Sequence, residues 1–425
     1  MNLVQTLLNR VKSNFNYVGE GTIEDPFTQQ ILVGNDASID AANRLRVSQQ
    51  ITLGDYRQTN DNLPYFYDEF RQGSTTVTYQ KGSGGVPMKV NSTNSTIIRQ
   101  TFQRHNYASG KSHLVEITFA FFGPEDDVTK RAGYYTAPSL THTDADGFYI
   151  ESSNNTVKLI VAKDGTEKLN VGQSEWNIDT LDGTGPSGVN INWQNFNVFV
   201  IDFLYLGGTQ VRFGFILNGQ IQWVHKFSHA NNFVDTIVLS PSLPIRYEIR
   251  SGDTGTTGQF NQICAQVSSE GAIGEVGRIR GFNTGSTPIS LPVSGTKYAI
   301  LGIRLKDGYE NISISPVGYK GFITSNDNFL IELIFNPTVA GTFTYSNGGD
   351  GAVDVAVGTS ANTVTGGEIV SSAYGNQDSS VTETEESARR IGQSILGVKD
   401  TLVVCITPMT NTLNASAALK IRELI

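Results

Sequence analysis

The chain has 425 residues, with 44 Gly, 13 Pro, 2 Cys and a formal net charge of −9 from 31 basic and 40 acidic side chains. Charged residues make up 17 %, below the roughly 25 % of ordinary soluble domains, and glycine exceeds its usual ~7 %. These proportions exclude coiled coils and charge-rich disordered chains and favour turn-rich β structure, while a pI near 5.1 excludes nucleic acid as a partner.

At the N-terminus, Leu3, Val4, Leu7, Leu8 and Val11 fall on one face of a short helix, beside Arg10 and Lys12. A helix this short is marginal alone, so it is expected to dock as an anchor. Polar residues interrupt it too often for a signal-peptide core. The segment that follows has no sustained period, and residues 1–45 are read as a helix plus an extended anchoring arm.

Residues 46–270 alternate short apolar runs with turn residues, the pattern of a large, jelly-roll-like antiparallel β-sandwich. The clearest stretch, 197–227, reads as a three-stranded meander with two-residue loops at Gly207-Gly208 and Asn218-Gly219. That register puts Val198, Val200, Leu204, Val211, Phe213, Phe215 and Leu217 on one face. Phe199, Ile201, Phe203, Tyr205, Ile216, Ile221, Trp223 and Phe227 take the other, with Gly214 opposite Trp223. The most apolar run, Val198 to Leu206, contains Asp202 and falls short of the ~20 residues that span a bilayer, so no membrane is expected.

Five glycines between Ser269 and Gly285 mark a flexible boundary. Beyond it, residues 271–425 read as a smaller β-sandwich with strands at Tyr298–Leu305, Asn328–Phe335, Thr342–Tyr345 and Leu402–Ile406. One helix is expected at about 383–396: Thr382 caps it, Glu385 follows three residues on, Ala388, Ile391 and Ile395 share a face, and Gly397 ends it. The fold class is therefore all-β, two antiparallel sandwiches with a short N-terminal helix and one helix near the C-terminus.

Catalytic spacings are missing. There is no GxSxG and no HExxH. Gly183-Thr184-Gly185-Pro186-Ser187-Gly188 matches GxGxxG, but the polar residues around Pro186 supply neither the preceding strand nor the helix a dinucleotide needs. Jelly-roll glycan hydrolases place alternating carboxylates along one strand, whereas Asp202 and Glu332 stand alone. His225 and His229 would lie ~13 Å apart on a strand, too far to chelate one ion. The Asp144-Ala145-Asp146-Gly147 turn lacks the further ligands of a calcium loop. Cys264 and Cys405 sit in apolar runs and read as buried free thiols. No catalytic, cofactor or metal residue is expected, and the chain is read as a non-enzyme. Tyr205, Arg212, Trp223 and His225 form an aromatic, cationic face suited either to stacking on a sugar or to packing within a core or subunit interface.

The segments Arg44-Leu45-Arg46-Val47-Ser48, Arg99 to Tyr107, Gln173 to Asp179, Leu181 to Gly188, Phe199 to Phe203, His229 to Asn232 and Leu243 to Glu248 together resemble a family of tailed-bacteriophage virion structural proteins. The likeness continues at Asn326 to Phe329 and Asn336 to Phe343. The resemblance implies a capsid-decorating, head-fibre or tail-fibre component, assembled in the host cytoplasm and free of cofactors. Its partners would be other virion proteins, a major capsid protein or a tail or portal protein, with self-association favoured as a trimer. The alternative from a different class is a carbohydrate-binding receptor-recognition module contacting host glycan through Tyr205, Arg212 and Trp223.

Overall fold

The computed structural model describes residues 17–18, 28–29, 40–41, 49–254, 257–271, 277–324, 327–376, 381–384 and 390–424. The anchoring helix expected from Leu3 to Val11 lies outside them. Among the described residues the only helical element is the short turn Gln173–Glu175, and no helix is long and apolar enough to cross a membrane.

Alternating apolar residues give each strand one face to bury, and the strands pair into two sandwiches. In the first, one antiparallel sheet reads from edge to edge Thr166–Gly172, Thr156–Lys163, Asp146–Ser153, Val128–Thr136, Ile245–Ser251, Thr96–Thr101 and Tyr67–Gln72. The facing sheet reads Gln220–Ser228, Gln210–Leu217, Phe196–Leu204, Ser112–Ala120, Gly258–Glu270, Val86–Val90 and Thr75–Val77. Gln50–Arg57 joins it on the far half of Gly258–Glu270. Between the sheets lies an aromatic core that includes Phe119, Tyr134, Phe148, Phe199, Phe203, Phe213, Tyr247 and Phe260. Each such side chain contributes ~1.5–3 kcal/mol by leaving water.

The meander departs from expectation at its first turn. Leu217 pairs with Gln220 across Asn218 and Gly219, both at positive φ, which is the expected two-residue loop. Leu204, however, pairs with Gln210, so the preceding loop spans residues 205–209 rather than Gly207-Gly208 alone. Phe199, Ile201 and Phe203 consequently stand opposite Phe215, Phe213 and Val211, and all six enter one core. The face grouping expected from the sequence is corrected accordingly, because a one-residue change in pairing reverses a strand's sides. A bulge between Phe213 and Gly214 places Val224 in the core and leaves Trp223 opposite Gly214, packed with Leu114 and Val200 on the outer side.

The second sandwich uses residues 278–424. One sheet runs Arg278–Asn283, Leu413–Leu424, Ser313–Ile323 and Val381–Thr384, with Ile289–Leu291 also on Leu413–Leu424. The other runs Ser346–Asn347, Val353–Val357, Tyr298–Leu305, Thr401–Pro408, Asn328–Phe335 and Glu368–Asn376. Arg278–Asn283 is thus a strand inside the glycine-rich stretch expected to be a flexible boundary.

The helix expected at about 383–396 is not found in the described part of that range. Val381–Thr384 is a strand paired with Gly318–Gly321, since a Val-Thr-Glu-Thr run suits a sheet edge better than a helix start. Ile391 bridges Ile314, and Gly397 makes a tight turn at φ +75°. Residues 385–389 lie outside the described set. The apolar spacing of Ile391 and Ile395 serves burial of an irregular segment: Ile395, 2 % exposed, donates its backbone N–H to Asp68 Oδ2 of the first sandwich at 2.8 Å.

Candidate functional site

The outer side of the meander sheet carries two of the four residues expected to form a platform. Asp202, fully buried, lies opposite Arg212 across two strands. Arg212 Nη2 donates to Asp202 Oδ2 at 2.5 Å, and Ser112 Oγ donates to Oδ1 at 2.7 Å. The Arg212 guanidinium sits 4.2 Å from the Trp223 ring centroid, and Trp223 is 3 % exposed. Gly214 makes the stack fit, because a Cβ there would lie 2.9 Å from both Trp223 Cε3 and the Gln222 carbonyl. Arg212 and Trp223 are therefore joined, but as a buried ion pair and cation–π stack.

Tyr205 and His225 do not join them. Tyr205 begins the five-residue turn, its backbone N–H donating to Tyr107 Oη at 2.6 Å and its ring edge-on to Tyr107. His225 lies opposite the core residue Phe213, and its Nδ1 accepts from the Asn177 backbone N–H at 3.1 Å. Burial pushes its pKa down to about 4, so it is neutral near pH 7.

The other charged clusters are closed as well. Glu248, wholly buried, accepts from Arg131 Nη1 at 3.0 Å, His142 Nε2 at 2.8 Å, Arg246 Nη2 at 3.0 Å and Arg250 Nε. Burial alone would raise its pKa, but His142, Arg246 and Arg131 outweigh that and hold it well below the usual carboxylate range. Asp144 accepts from the Ser139 N–H and Asp146 from the Leu239 N–H, so the Asp-x-Asp-Gly turn spends both carboxylates on backbone. The GxGxxG segment wraps round Asp179, which accepts from the N–H groups of Leu181 and Ser187. Among the described residues no group of three or more His, Cys, Asp or Glu is arranged to hold a metal. Cys405 is buried and Cys264 partly so, both thiols raised by burial.

An open concavity of about 520 Å³ was not anticipated. It lies at one end of the large sandwich and is lined by Gly123, Pro124, Asn190, Ile191, Asn192, Trp193 and Gln194. Trp193 is half-buried. Its ring packs on Phe121 and edge-on to Phe215, and its Nε1 donates to Gln173 Oε1 at 3.0 Å. Gln173 is fixed in turn by donating to the carbonyls of Thr180 and Leu181. Asn190, Asn192 and Gln194, which share the lining, are exposed, and Asn192 Oδ1 accepts the Gln194 N–H at 2.9 Å. The sequence signal was an amide-rich run framing a tryptophan, which alternation-based reading passes over.

No protein-family model and no curated protein sequence matches the chain. Among solved structures it is similar to the carbohydrate recognition domain of Emp47p, at 13 % identity and a TM-score of 0.34, covering 52 % of this chain and 95 % of that one. It is similar also to a Bacillus licheniformis β-glucanase, at 12 % identity and a TM-score of 0.34 over 50 % and 97 % of the two chains. A legume lectin-like domain from Entamoeba histolytica gives 9 % identity and a TM-score of 0.33 over 51 % and 97 %. Superpositions this loose transfer no residue role.

Proposed function

We propose that this chain is a non-catalytic recognition protein of a bacteriophage virion, which binds carbohydrate on a β-sandwich surface without transforming it. The observation that carries the reading is the chemistry of the open concavity at Trp193. A half-buried indole in a lining that also holds three exposed carboxamide residues, and among whose described residues there is no carboxylate, histidine or cysteine, suits neutral saccharide. The ring covers sugar C–H faces and the amides both donate to and accept from hydroxyls. Acid–base catalysis needs a pair of groups free to exchange protons, and Asp202 and Glu248 are instead locked by cations inside the fold.

The place in a virion is supported by the sequence resemblance described above, with residues 1–45 attaching the sandwiches, as a trimer, to a capsid or tail protein. Mass spectrometry of purified particles tests that half, and particles without this chain would refute it. The carbohydrate half is tested on an array of neutral oligosaccharides. The full chain should bind at least one, and Asn190→Ala combined with Gln194→Ala should weaken that binding tenfold or more while leaving the unfolding temperature unchanged. Absence of neutral-glycan binding refutes it.

A further inference from the structure

The second sandwich carries a groove of about 510 Å³ on the sheet formed by Arg278–Asn283, Leu413–Leu424 and Ser313–Ile323. That volume lies within the ~300–1,000 Å³ of small-ligand sites. Its central strand presents Lys420, flanked across the ladder by Gly281 on one side and Gly318 on the other. Ala418, the next residue on that face, lies between Asn283 and Lys320. The floor is therefore almost bare of side chains, and two lysines rise from it as cross-strand diagonal neighbours, a spacing of ~7–8 Å.

Two features of this floor have no use among the described residues. Lys320 and Lys420 are exposed and form no ion pair among the described residues, although the chain is acidic and many of its other bases are paired. Like charges placed this close repel each other unless an anion is shared. Gly281 is the second. Mid-strand glycine weakens a sheet, yet this one has no positive φ to require it, and a Cβ built on it meets nothing within 4 Å. Internal packing does not demand glycine there, whereas an incoming ligand that approaches the backbone does.

We propose that this groove binds a carboxylate-bearing polysaccharide of the polyuronate type, with Lys320 and Lys420 meeting carboxylates on neighbouring sugar units and the chain lying over Gly281 and Ala418. The proposal rests on the carbohydrate reading above but assigns a second, charge-selective site. A sugar polymer fits better than an acidic peptide because Leu413–Leu424, paired on both sides, offers no ladder to a strand laid over the lysines, and a peptide added to the open edge of Arg278–Asn283 would lie beside the floor rather than on it. Ile279 and Val317, which also line the groove, supply apolar contact for sugar C–H groups.

Titration calorimetry of the full chain with oligogalacturonate, and with maltooligosaccharide as the neutral counterpart, tests the assignment. Oligogalacturonate should bind and weaken as salt rises. Lys320→Ala with Lys420→Ala should lower affinity tenfold or more. Gly281→Leu should abolish binding by filling the groove, with the unfolding temperature of both variants unchanged. No oligogalacturonate binding, or binding that survives both variants, overturns the groove. If neutral glycans still bind the full chain in that case, the carbohydrate reading stands without it; if neither class binds, both fail. Acidic-glycan binding lost on Asn190→Ala with Gln194→Ala, and kept on the groove variants, also overturns it by moving the ligand to the Trp193 concavity.

Discussion

Buried histidines contribute to the acid sensitivity of this protein. His105 is buried between Leu243 O, which can only accept, and Tyr56 Oη, so Nδ1 carries the proton and Nε2 accepts from the tyrosine. His113 packs against Tyr107 and Phe203, and neither of its ring nitrogens has a hydrogen-bond partner among the described residues. Burial pushes their pKa values down to about 4 and about 3, with His225 also at about 4. The folded state therefore binds fewer protons than the unfolded state below ~6.5, and the stability these residues confer is full above that pH and lost as pH falls through about 4. Asp146 opposes them: burial raises its carboxyl to about 6, so its share of stability grows as pH falls through 6. His142 and His229, whose pKa values burial also lowers, act in the same direction as these three, and urea midpoints should fall between pH 7 and pH 4.5. His113→Phe, which keeps the ring contacts, should flatten that slope; an unchanged slope would refute the assignment. Arg212→Ala leaves Asp202 buried without its cation and should cost ~3–5 kcal/mol in the same measurement, with neutral-glycan binding retained by whatever fraction stays folded.

Among the elements, strand existence was legible and strand register was not. Alternation at Phe199 to Phe203 and at Val211 to Phe215 announced two strands correctly, but the sequence between them permits a two-residue or a five-residue loop, and only tertiary burial selects the latter. The bulge at Val224 is equally silent, since it appears as one more valine. Thr382 with Glu385 satisfied a local capping rule that lost to edge pairing on Gly318–Gly321. Of the four platform residues, Arg212 and Trp223 lie together on strands joined by the Asn218-Gly219 loop. Tyr205 and His225 fell elsewhere because of the longer first loop and the bulge. Gly214→Leu probes this register directly. Its side chain must displace Trp223 from Arg212, so near-ultraviolet circular dichroism should lose tryptophan intensity and stability should fall by ~1–3 kcal/mol. A native spectrum would contradict the observed pairing.

At the scale of the whole molecule, the two sandwiches meet where Asp68 accepts the Ile395 N–H, with Gly397 close to Pro138. Asp68→Ala strands a largely buried donor, a loss of ~1–3 kcal/mol, and should speed protease cleavage near residues 390–400 without changing the urea midpoint of the first sandwich. Cleavage at the wild-type rate would show that the junction is held by other contacts.

The order in which strands leave the ribosome gives the sheet topology a further meaning. In the first sandwich the last strand in sequence, Gly258–Glu270, is internal to its sheet, between Ser112–Ala120 on one side and both Val86–Val90 and Gln50–Arg57 on the other. In the second, Leu413–Leu424 likewise lies between Arg278–Asn283 and Ser313–Ile323. Neither sheet can close during synthesis until its final strand emerges, so the earlier strands wait with open edges, exposed to wrong pairing. A chain interrupted just before either strand lacks the middle of a sheet rather than its margin, and the topology thereby ties correct folding of each sandwich to completion of its own last segment.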